Sequence, residues 1–312
     1  MRIIYSVVCI AIISSCTSDY DLPVPHRQKQ IVLNGILNPD SILKVKLTFS
    51  QEITDTSEPE NIEDATVRVV ENGTRFIELR HNGDGQYTSE VRVQKGFSYH
   101  VLAEVRGYPV VEAEDIVPDD PVVSTCYSQR SNRSGNYDVQ VNLYITNDQN
   151  AEHRYWFDMS AKGDYIQNSS TELKKLYYLT CADLTLDNFN SSYDNTFQEF
   201  YYTLYMRQSD ESKMLHRFPL AITGAAGHSF FKYENLQSLA PGQGLFVTTY
   251  NCSRAYDQYL KSSLIQFINN NLYDMPNPLS GPVKIFSNVE NGIGIFAAYS
   301  IKTLEVNKYP CN

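Results

Sequence analysis

Hydrophobic and polar residues alternate in short segments through the first third of the chain. Residues 43–49, for example, have the sequence Leu-Lys-Val-Lys-Leu-Thr-Phe. Successive side chains of a strand point to opposite faces, so this alternation predicts strands with one buried face and one face in water. Similar segments occur at 31–37, 65–69, 76–79, 87–93 and 97–105. Because turn signals such as Asn72-Gly73 separate them, residues 30–111 are predicted to form an immunoglobulin-like β-sandwich.

The pattern resumes after residues 112–121, an acidic segment with prolines that we predict to be a linker. Residues 122–312 are predicted to form a larger domain of antiparallel β-structure. Its apolar segments lie at 139–145, 154–160, 176–180, 197–207, 230–233 and 245–250. The last segment, residues 282–300, is predicted to be a hairpin that turns at Asn291-Gly292.

One segment of the second domain has the periodicity of a helix. Apolar residues recur at spacings of three and four over about residues 253–272, which predicts an amphipathic helix. Ser253 or Asn251 is expected to cap its first turn, because either side chain can accept a hydrogen bond from a free backbone N–H group. The predicted fold class is therefore mainly β: an N-terminal immunoglobulin-like β-sandwich followed by a larger antiparallel β domain with one amphipathic helix.

The N-terminus has the features of an export signal. Arg2 precedes an apolar run at residues 3–13, which is too short for a spanning helix and suits a signal peptide. The small residues before Cys16 resemble the bacterial lipobox, so we expect cleavage between Ser15 and Cys16 and acylation of Cys16. The alternative is an ordinary signal peptide with an incidental cysteine. In the lipoprotein interpretation, residues 1–15 are removed, residues 16–29 form a tether, and the acyl chains hold the protein on a membrane.

Composition excludes some classes of protein. The chain has 312 residues, of which 42% are hydrophobic, and a formal net charge of −10. It is therefore expected to fold, and without a basic cluster it is not expected to bind nucleic acid. The mature chain has no apolar run long enough to span a bilayer as a helix.

Four cysteines remain beyond Cys9 and the predicted anchor: Cys126, Cys181, Cys252 and Cys311. An exported protein meets an oxidising compartment, so two disulfides are expected, with three pairings open. Buried free thiols are the alternative. No Cys-x-x-Cys pair is present, which argues against a metal or redox site.

The sequence contains no recognisable catalytic motif. The six histidines show no zinc-protease spacing and no Gly-x-Ser-x-Gly elbow is present. We therefore expect no enzymatic activity, no cofactor and no metal. The candidates for contact with a glycan or peptide ligand are aromatic, although on alternate positions half of such residues must face the core. They are Tyr177, Tyr178, Tyr201, Tyr202 and Tyr205.

Several segments resemble one family of bacterial lipoproteins. They are the lipobox with its early acidic tail, residues 31–37, 61–69 and 85–88, and above all residues 278–300. Together these segments resemble the Bacteroidota lipoproteins called the domain-of-unknown-function 4249 family. The acidic residues soon after Cys16 resemble the signal that sends lipoproteins of that phylum to the cell surface.

The resemblance implies a role rather than an activity, because members are typically encoded beside TonB-dependent outer-membrane receptors. The first hypothesis is a non-enzymatic outer-membrane lipoprotein that captures substrate for such a transporter or shapes access to its pore. It is expected at the cell surface, and the inner face of the outer membrane is the alternative. The alternatives are an adhesin or structural surface lipoprotein, and a surface hydrolase of glycans or peptides whose site is assembled from distant carboxylates.

Overall fold

The structure is a computed structural model of the full chain. The residues that it describes are 28–39, 41–52, 55–131, 137–146, 153–163, 170–175, 179–181, 186–188, 204–206, 215–222, 244–271 and 283–306. Statements below about structure refer to these residues.

The first part of the chain forms seven consecutive strands. They are β1 (Ile31–Leu37), β2 (Ile42–Phe49), β3 (Thr66–Glu71), β4 (Arg75–His81), β5 (Gln86–Arg92), β6 (Ser98–Glu104) and β7 (Val111–Ile116). Buried and exposed residues alternate along β1, β2 and β3, as the sequence pattern predicts.

The rest of the chain contributes further strands and a helix. The strands are β8 (Val122–Ser131), β9 (Tyr137–Thr146), β10 (Tyr155–Gly163), β11 (Ser170–Lys175), β12 (Leu179–Cys181), β13 (Leu186–Asn188), β14 (Leu204–Met206), β15 (Leu215–Ile222), β16 (Gly244–Cys252) and β17 (Ile293–Glu305). The predicted helix is confirmed as α1 (Arg254–Asn271).

Both parts of the chain contribute to a single large sheet. Its strand order is β13-β14-β10-β16-β17-β1-β2-β5-β4-β3-β6-β7, and β11 pairs with β10. The two parts meet where β1 pairs in parallel with β17, from Val32 beside Ile293 to Leu37 beside Ala298. A second, four-stranded sheet has the order β12-β15-β9-β8. The predicted mainly β fold with a large antiparallel sheet is confirmed, whereas the immunoglobulin-like detail stays a prediction.

The predicted linker differs from the structure. Residues 111–116 form β7, which pairs with β6 from Ser98 beside Ile116 to Ala103 beside Val111. The acidic residues of this segment suggested a linker, but Glu114 lies on the exposed face while Val111 and Ala113 are buried. A charged outer face is compatible with a strand, because only the alternate residues enter the core.

The core of the first part of the chain is one apolar cluster. It includes Leu33 from β1, Leu47 from β2, Val69 from β3, Val101 from β6 and Phe296 from β17. Strands that are distant in the sheet order therefore share one core, which requires the strand path to curl back on itself. A bridge between the backbones of Glu112 and Glu290 brings β7 to the start of β17.

The predicted hairpin at residues 282–300 is wrong in one arm. Its second arm is β17, but residues 283–289 form no strand. Asn288 instead uses its side-chain amide, whose Oδ1 accepts from Phe296 N at 3.0 Å and whose Nδ2 donates to Phe296 O at 2.7 Å. This amide occupies the backbone groups that a hairpin partner would use. Gly294 stays within β17 beside Leu33 of β1, and its φ of 122° is in the region that favours glycine.

Helix α1 packs on the outer face of the large sheet. Ala255 contacts the buried Ile295 and Ala297 of β17, and Ile36 and Phe286 pack beside them. The Phe286 backbone N–H donates to Ser262 Oγ at 2.8 Å, which fastens residues 283–289 to the helix. None of the helices within the described ranges combines the length and apolar character needed to cross a membrane.

Candidate ligand-binding cleft

A cleft of about 680 Å³ lies where α1 begins. One wall is the chain that leaves β7, including Asp115 and Asp119, and the other includes His153, Asn251 and Arg254. Its volume falls within the ~300–1,000 Å³ that is typical of small-molecule sites. The cleft brings together residues that are more than one hundred positions apart in the sequence.

Ser253 joins the two walls of the cleft. Its hydroxyl donates a hydrogen bond to the Asp115 carboxylate. The same oxygen accepts from Tyr256 N at 3.2 Å, so Ser253 is the N-cap of α1, one of the two caps that the sequence suggested. The Ser253 backbone N–H donates to Ala298 O at 2.9 Å, which ties the start of the helix to β17.

Asp115 is held in a poorly solvated place. Burial raises the pKa of its carboxyl to about 6, and the hydrogen bonds from Ser253 and from the backbone N–H of Ile116 oppose this shift. The Ile116 N–H lies 2.9 Å from Asp115 Oδ1. The cleft therefore contains a carboxyl that exchanges its proton closer to neutral pH than an exposed aspartate does.

A network of charged residues lies next to the cleft, between the first turn of α1 and β10. Asp257 is 5% exposed and accepts from Trp156 Nε1 at 2.9 Å and from Lys261 Nζ at 2.8 Å. Arg154 Nε lies 4.0 Å from the same carboxylate. Because each charge has an opposite partner, the network can be buried without leaving a bare ion in a medium of low polarity. It fixes the first turn of α1 against β10.

Two side chains of the cleft wall have polar atoms without a partner. Asn251 Nδ2 donates to Asp119 O at 3.0 Å, but its Oδ1 is buried and accepts no hydrogen bond. Neither ring nitrogen of His153 has a hydrogen-bond partner, and the imidazole stacks on Tyr155 with the ring centres 5.6 Å apart. Buried polar atoms of this kind are normally satisfied by an ordered water or a bound molecule.

The geometry suits binding better than nucleophilic catalysis. An activated serine needs a hydrogen bond to a general base, usually an imidazole. Ser253 is instead bonded to Asp115 and to the helix backbone, and the His153 nitrogens bond to neither. Within the described ranges, no group of three or more His, Cys, Asp or Glu residues is arranged to hold a metal ion.

Most of the residues proposed from sequence are outside the described residues. These are Ser15, Cys16, Cys311, Tyr177, Tyr178, Tyr201 and Tyr202. Tyr205 belongs to β14, where its backbone is in register with Trp156 of β10. Cys181 belongs to β12. Neither Tyr205 nor Cys181 is among the described residues that line the cleft.

Among the cysteines, Cys126 is disulfide-bonded and Cys252 is a free, buried thiol. For Cys252 the structure departs from the expectation of a disulfide. The reason is its position at the end of β16, where it packs with Trp156, Leu260 and Leu264 beneath α1. Burial raises the pKa of this thiol well above its usual value, so it behaves as a small apolar side chain.

Sequence reasoning missed the cleft itself. The cap at Ser253 was visible because a hydroxyl residue preceded an amphipathic pattern. Asp115 was concealed within the acidic segment, and His153 and Arg154 had no motif around them. Nothing local indicated that these residues meet.

The fold and the cleft define a mainly β protein in which an open cleft lies between the end of β7 and the start of a helix. The chain belongs to the family described as Domain of unknown function (DUF4249), whose model matches residues 17–305. This match confirms the family suggested by the resemblance. No curated protein matches the chain.

Proposed function

We propose that this protein is a lipid-anchored protein of the bacterial outer membrane, exposed at the cell surface. In this proposal it has no enzymatic activity and captures substrate for a TonB-dependent nutrient transporter. The observation that carries the proposal is the lipobox that ends at Cys16, followed by a polar segment leading into β1.

The connection between the anchor and the folded body supports this arrangement. Gln28, where the described structure begins, is twelve positions after Cys16, and β1 starts at Ile31. An extended segment of that length reaches up to ~40 Å. The folded body can therefore stand clear of the bilayer and contact a neighbouring receptor while it remains anchored.

The cleft supplies a place for a captured molecule. Its wall carries the unpartnered Asn251 oxygen, and its rim carries the exposed Asp119 and Arg254 side chains. Its serine is engaged as a helix cap and is not hydrogen-bonded to an imidazole. These features favour reversible binding over turnover.

The first test is whether the protein purifies with a receptor. The tagged full chain would be extracted from outer membranes in mild detergent after cross-linking, and its partners identified by mass spectrometry. We expect a TonB-dependent receptor in amounts comparable with the bait. Cys16→Ala should release the protein from the membrane and abolish recovery of the receptor, whereas Ser18→Ala, a matched change two residues later, should alter neither.

The second test addresses capture. The double variant Asp119→Ala/Arg254→Ala changes two exposed side chains at the rim and leaves the buried contacts of the cleft in place. We expect normal anchoring but slower growth on the transported nutrient. Recovery of no receptor under any cross-linking condition, with normal growth and reduced surface attachment of a deletion strain, would replace the transport proposal with that of an adhesin.

A further inference from the structure

The outer face of the large sheet changes in character between neighbouring strands. Over β17 and β1, apolar side chains such as Ile295 and Ile36 are covered by α1 and Phe286. Over β2 and β5 this cover ends, and the face carries exposed polar residues. The part of the sheet face that α1 does not cover is exposed to solvent. It is therefore available for contact with another surface.

Three basic residues share this uncovered face with two exposed acidic residues, Glu78 of β4 and Glu90 of β5. Lys44 is in register with Thr88 of β5, and Thr88 is in register with Arg80 of β4, so their side chains lie on the same side of the sheet. Lys46 lies two residues after Lys44 and therefore points the same way. All three are exposed, and within the described part of the chain none of them forms an ion pair.

A hollow of about 290 Å³ lies between the two lysines. Its lining also includes the side-chain amides of Asn34 and Gln86. Asn34, Lys46 and Gln86 are in register across three strands, which places two amide groups beside an ammonium group. Together these residues offer hydrogen-bond donors and positive charge to an anionic group, for example a phosphate.

This face lies close to the point where the tether joins the fold. The tether joins the fold at the start of β1, and Asn34 is four residues further along the chain from Gln30. At 3.3 Å per residue, the hollow lies only ~13 Å from the point of attachment. A membrane that holds the acylated end is thus within reach of this face.

We propose that the face formed by Lys44, Lys46 and Arg80, which we call the cationic face, docks on the anionic lipid headgroups of the membrane that carries the anchor. The proposal rests on the lipid anchor of the proposed function. A chain with a net charge of −10 is repelled as a whole by an anionic surface, so a face on which the three free cations outnumber the exposed carboxylates of Glu78 and Glu90 determines which side approaches.

The test measures the reactivity of individual lysines in the acylated full chain. The protein would be reconstituted into vesicles of phosphatidylcholine, with or without one third phosphatidylglycerol, and treated briefly with an amine-acetylating reagent. Mass spectrometry would then give the labelling rate of each lysine. We expect Lys44 and Lys46 to react about fivefold more slowly on the anionic vesicles. Lys302, an exposed lysine of β17, serves as the internal control and should react equally on both.

Two variants and one salt sharpen the result. Arg80→Glu should remove most of the protection of Lys44 and Lys46, whereas Arg106→Glu, an equal change of charge in the turn before β7, should leave it intact. Equal labelling of Lys44 and Lys46 on both kinds of vesicle would overturn the proposal. So would protection by inorganic phosphate alone on neutral vesicles, because the hollow would then be a site for free anions.

Flotation of the protein with the vesicles would be measured in parallel. Protein that does not float overturns the anchor, and the docking that rests on it. Protein that floats but shows no protection of the two lysines overturns the cationic face alone.

Discussion

Two buried regions of this protein are stabilised in different ways. The core of the first part of the chain is almost wholly apolar, with side chains such as Leu33, Val101 and Phe296 fully buried. The junction at the start of α1 instead buries Asp257 and the N-cap Ser253 among hydrogen bonds. The first region depends on the area removed from water, and the second depends on completed pairs.

The comparison is closest for the buried carboxylates. Glu71, at the edge of the apolar core, is 4% exposed and accepts from Tyr99 OH at 3.0 Å and from Arg75 Nη1 at 3.2 Å. Burial raises the pKa of Tyr99 to about 12, so this phenol remains a donor at every physiological pH. Asp257 also combines a cation with an aromatic donor. Asp115 has a hydroxyl and backbone N–H groups instead, and its pKa is raised. Glu71 and Asp257 are thus each held by a cation and an aromatic donor, whereas Asp115 is held by a hydroxyl and a backbone N–H group.

The largest expected effect is the loss of a large side chain from the apolar core. Phe296→Ala should lower the free energy of unfolding by about 3–5 kcal/mol, because it removes a buried ring and leaves a cavity. Phe76→Ala is the matched control, since that ring is 72% exposed. Urea denaturation followed by circular dichroism would measure both. Equal costs for the two variants would mean that the inner cluster is not the main source of stability.

The next effect concerns the polar junction. Asp257→Ala should cost about 3 kcal/mol, because it removes the buried carboxylate that accepts hydrogen bonds from Lys261 Nζ and Trp156 Nε1. Glu104→Ala breaks the exposed ion pair with Arg68 and should cost at most about 1 kcal/mol. Chemical denaturation again provides the measurement. If Asp257→Ala lowered the free energy of unfolding no more than Glu104→Ala does, the polar junction would not depend on its buried carboxylate.

A smaller effect is expected where a side-chain amide replaces a strand partner. Asn288→Ala removes both hydrogen bonds to the Phe296 backbone and should cost about 1–2 kcal/mol. Hydrogen exchange of the Phe296 amide should accelerate as well. Asn82→Ala, a change at an exposed turn residue, is the control and should alter neither quantity.

The final prediction concerns pH. The pKa of Asp115 rises from 3.8 to about 6 in the folded state, so folded protein binds this proton more tightly than unfolded protein does. Its contribution to stability is therefore complete below pH 3.8 and is lost as the pH rises through about 6. Asp115→Asn should remove this fall from the curve of unfolding free energy against pH, while Asp84→Asn in an exposed turn should keep it. If the unfolding free energy of Asp115→Asn still fell with rising pH as in the unchanged protein, Asp115 would not be the group that holds this proton in the folded state.

Much of the first part of the fold could be predicted from local pattern. The alternation of residues 43–49 identified β2 because each buried leucine or valine is followed by a residue in water. For β7 the prediction of a linker was wrong. It relied on the acidic residues of the outer face and overlooked Val111 and Ala113, which are buried on the inner face. Composition described the segment as a whole, whereas the strand depends only on every second residue.

The site was less accessible to sequence reasoning. Ser253 was found as a cap because capping is a local property of a helix start. Its contact with Asp115 was not, since the two residues are 138 positions apart and become neighbours only after β7 and β17 meet. Cys252 was expected in a disulfide from the redox compartment, but its neighbours beneath α1 are apolar.

By itself the sequence determined the mainly β class, the strands of the first part before β7, the helix and two candidates for its cap. Each of these follows from the chemistry of residues that are close together in the chain. It also carried the lipobox, which remains the basis of the proposed anchor. Only the tertiary structure decided that β1 pairs with β17 in a single sheet, that the cleft forms where the end of β7 meets the start of α1, and that Lys44, Lys46 and Arg80 share one face. These features depend on which distant strands pair, and local alternation says which face of a strand is buried without saying which strand lies beside it.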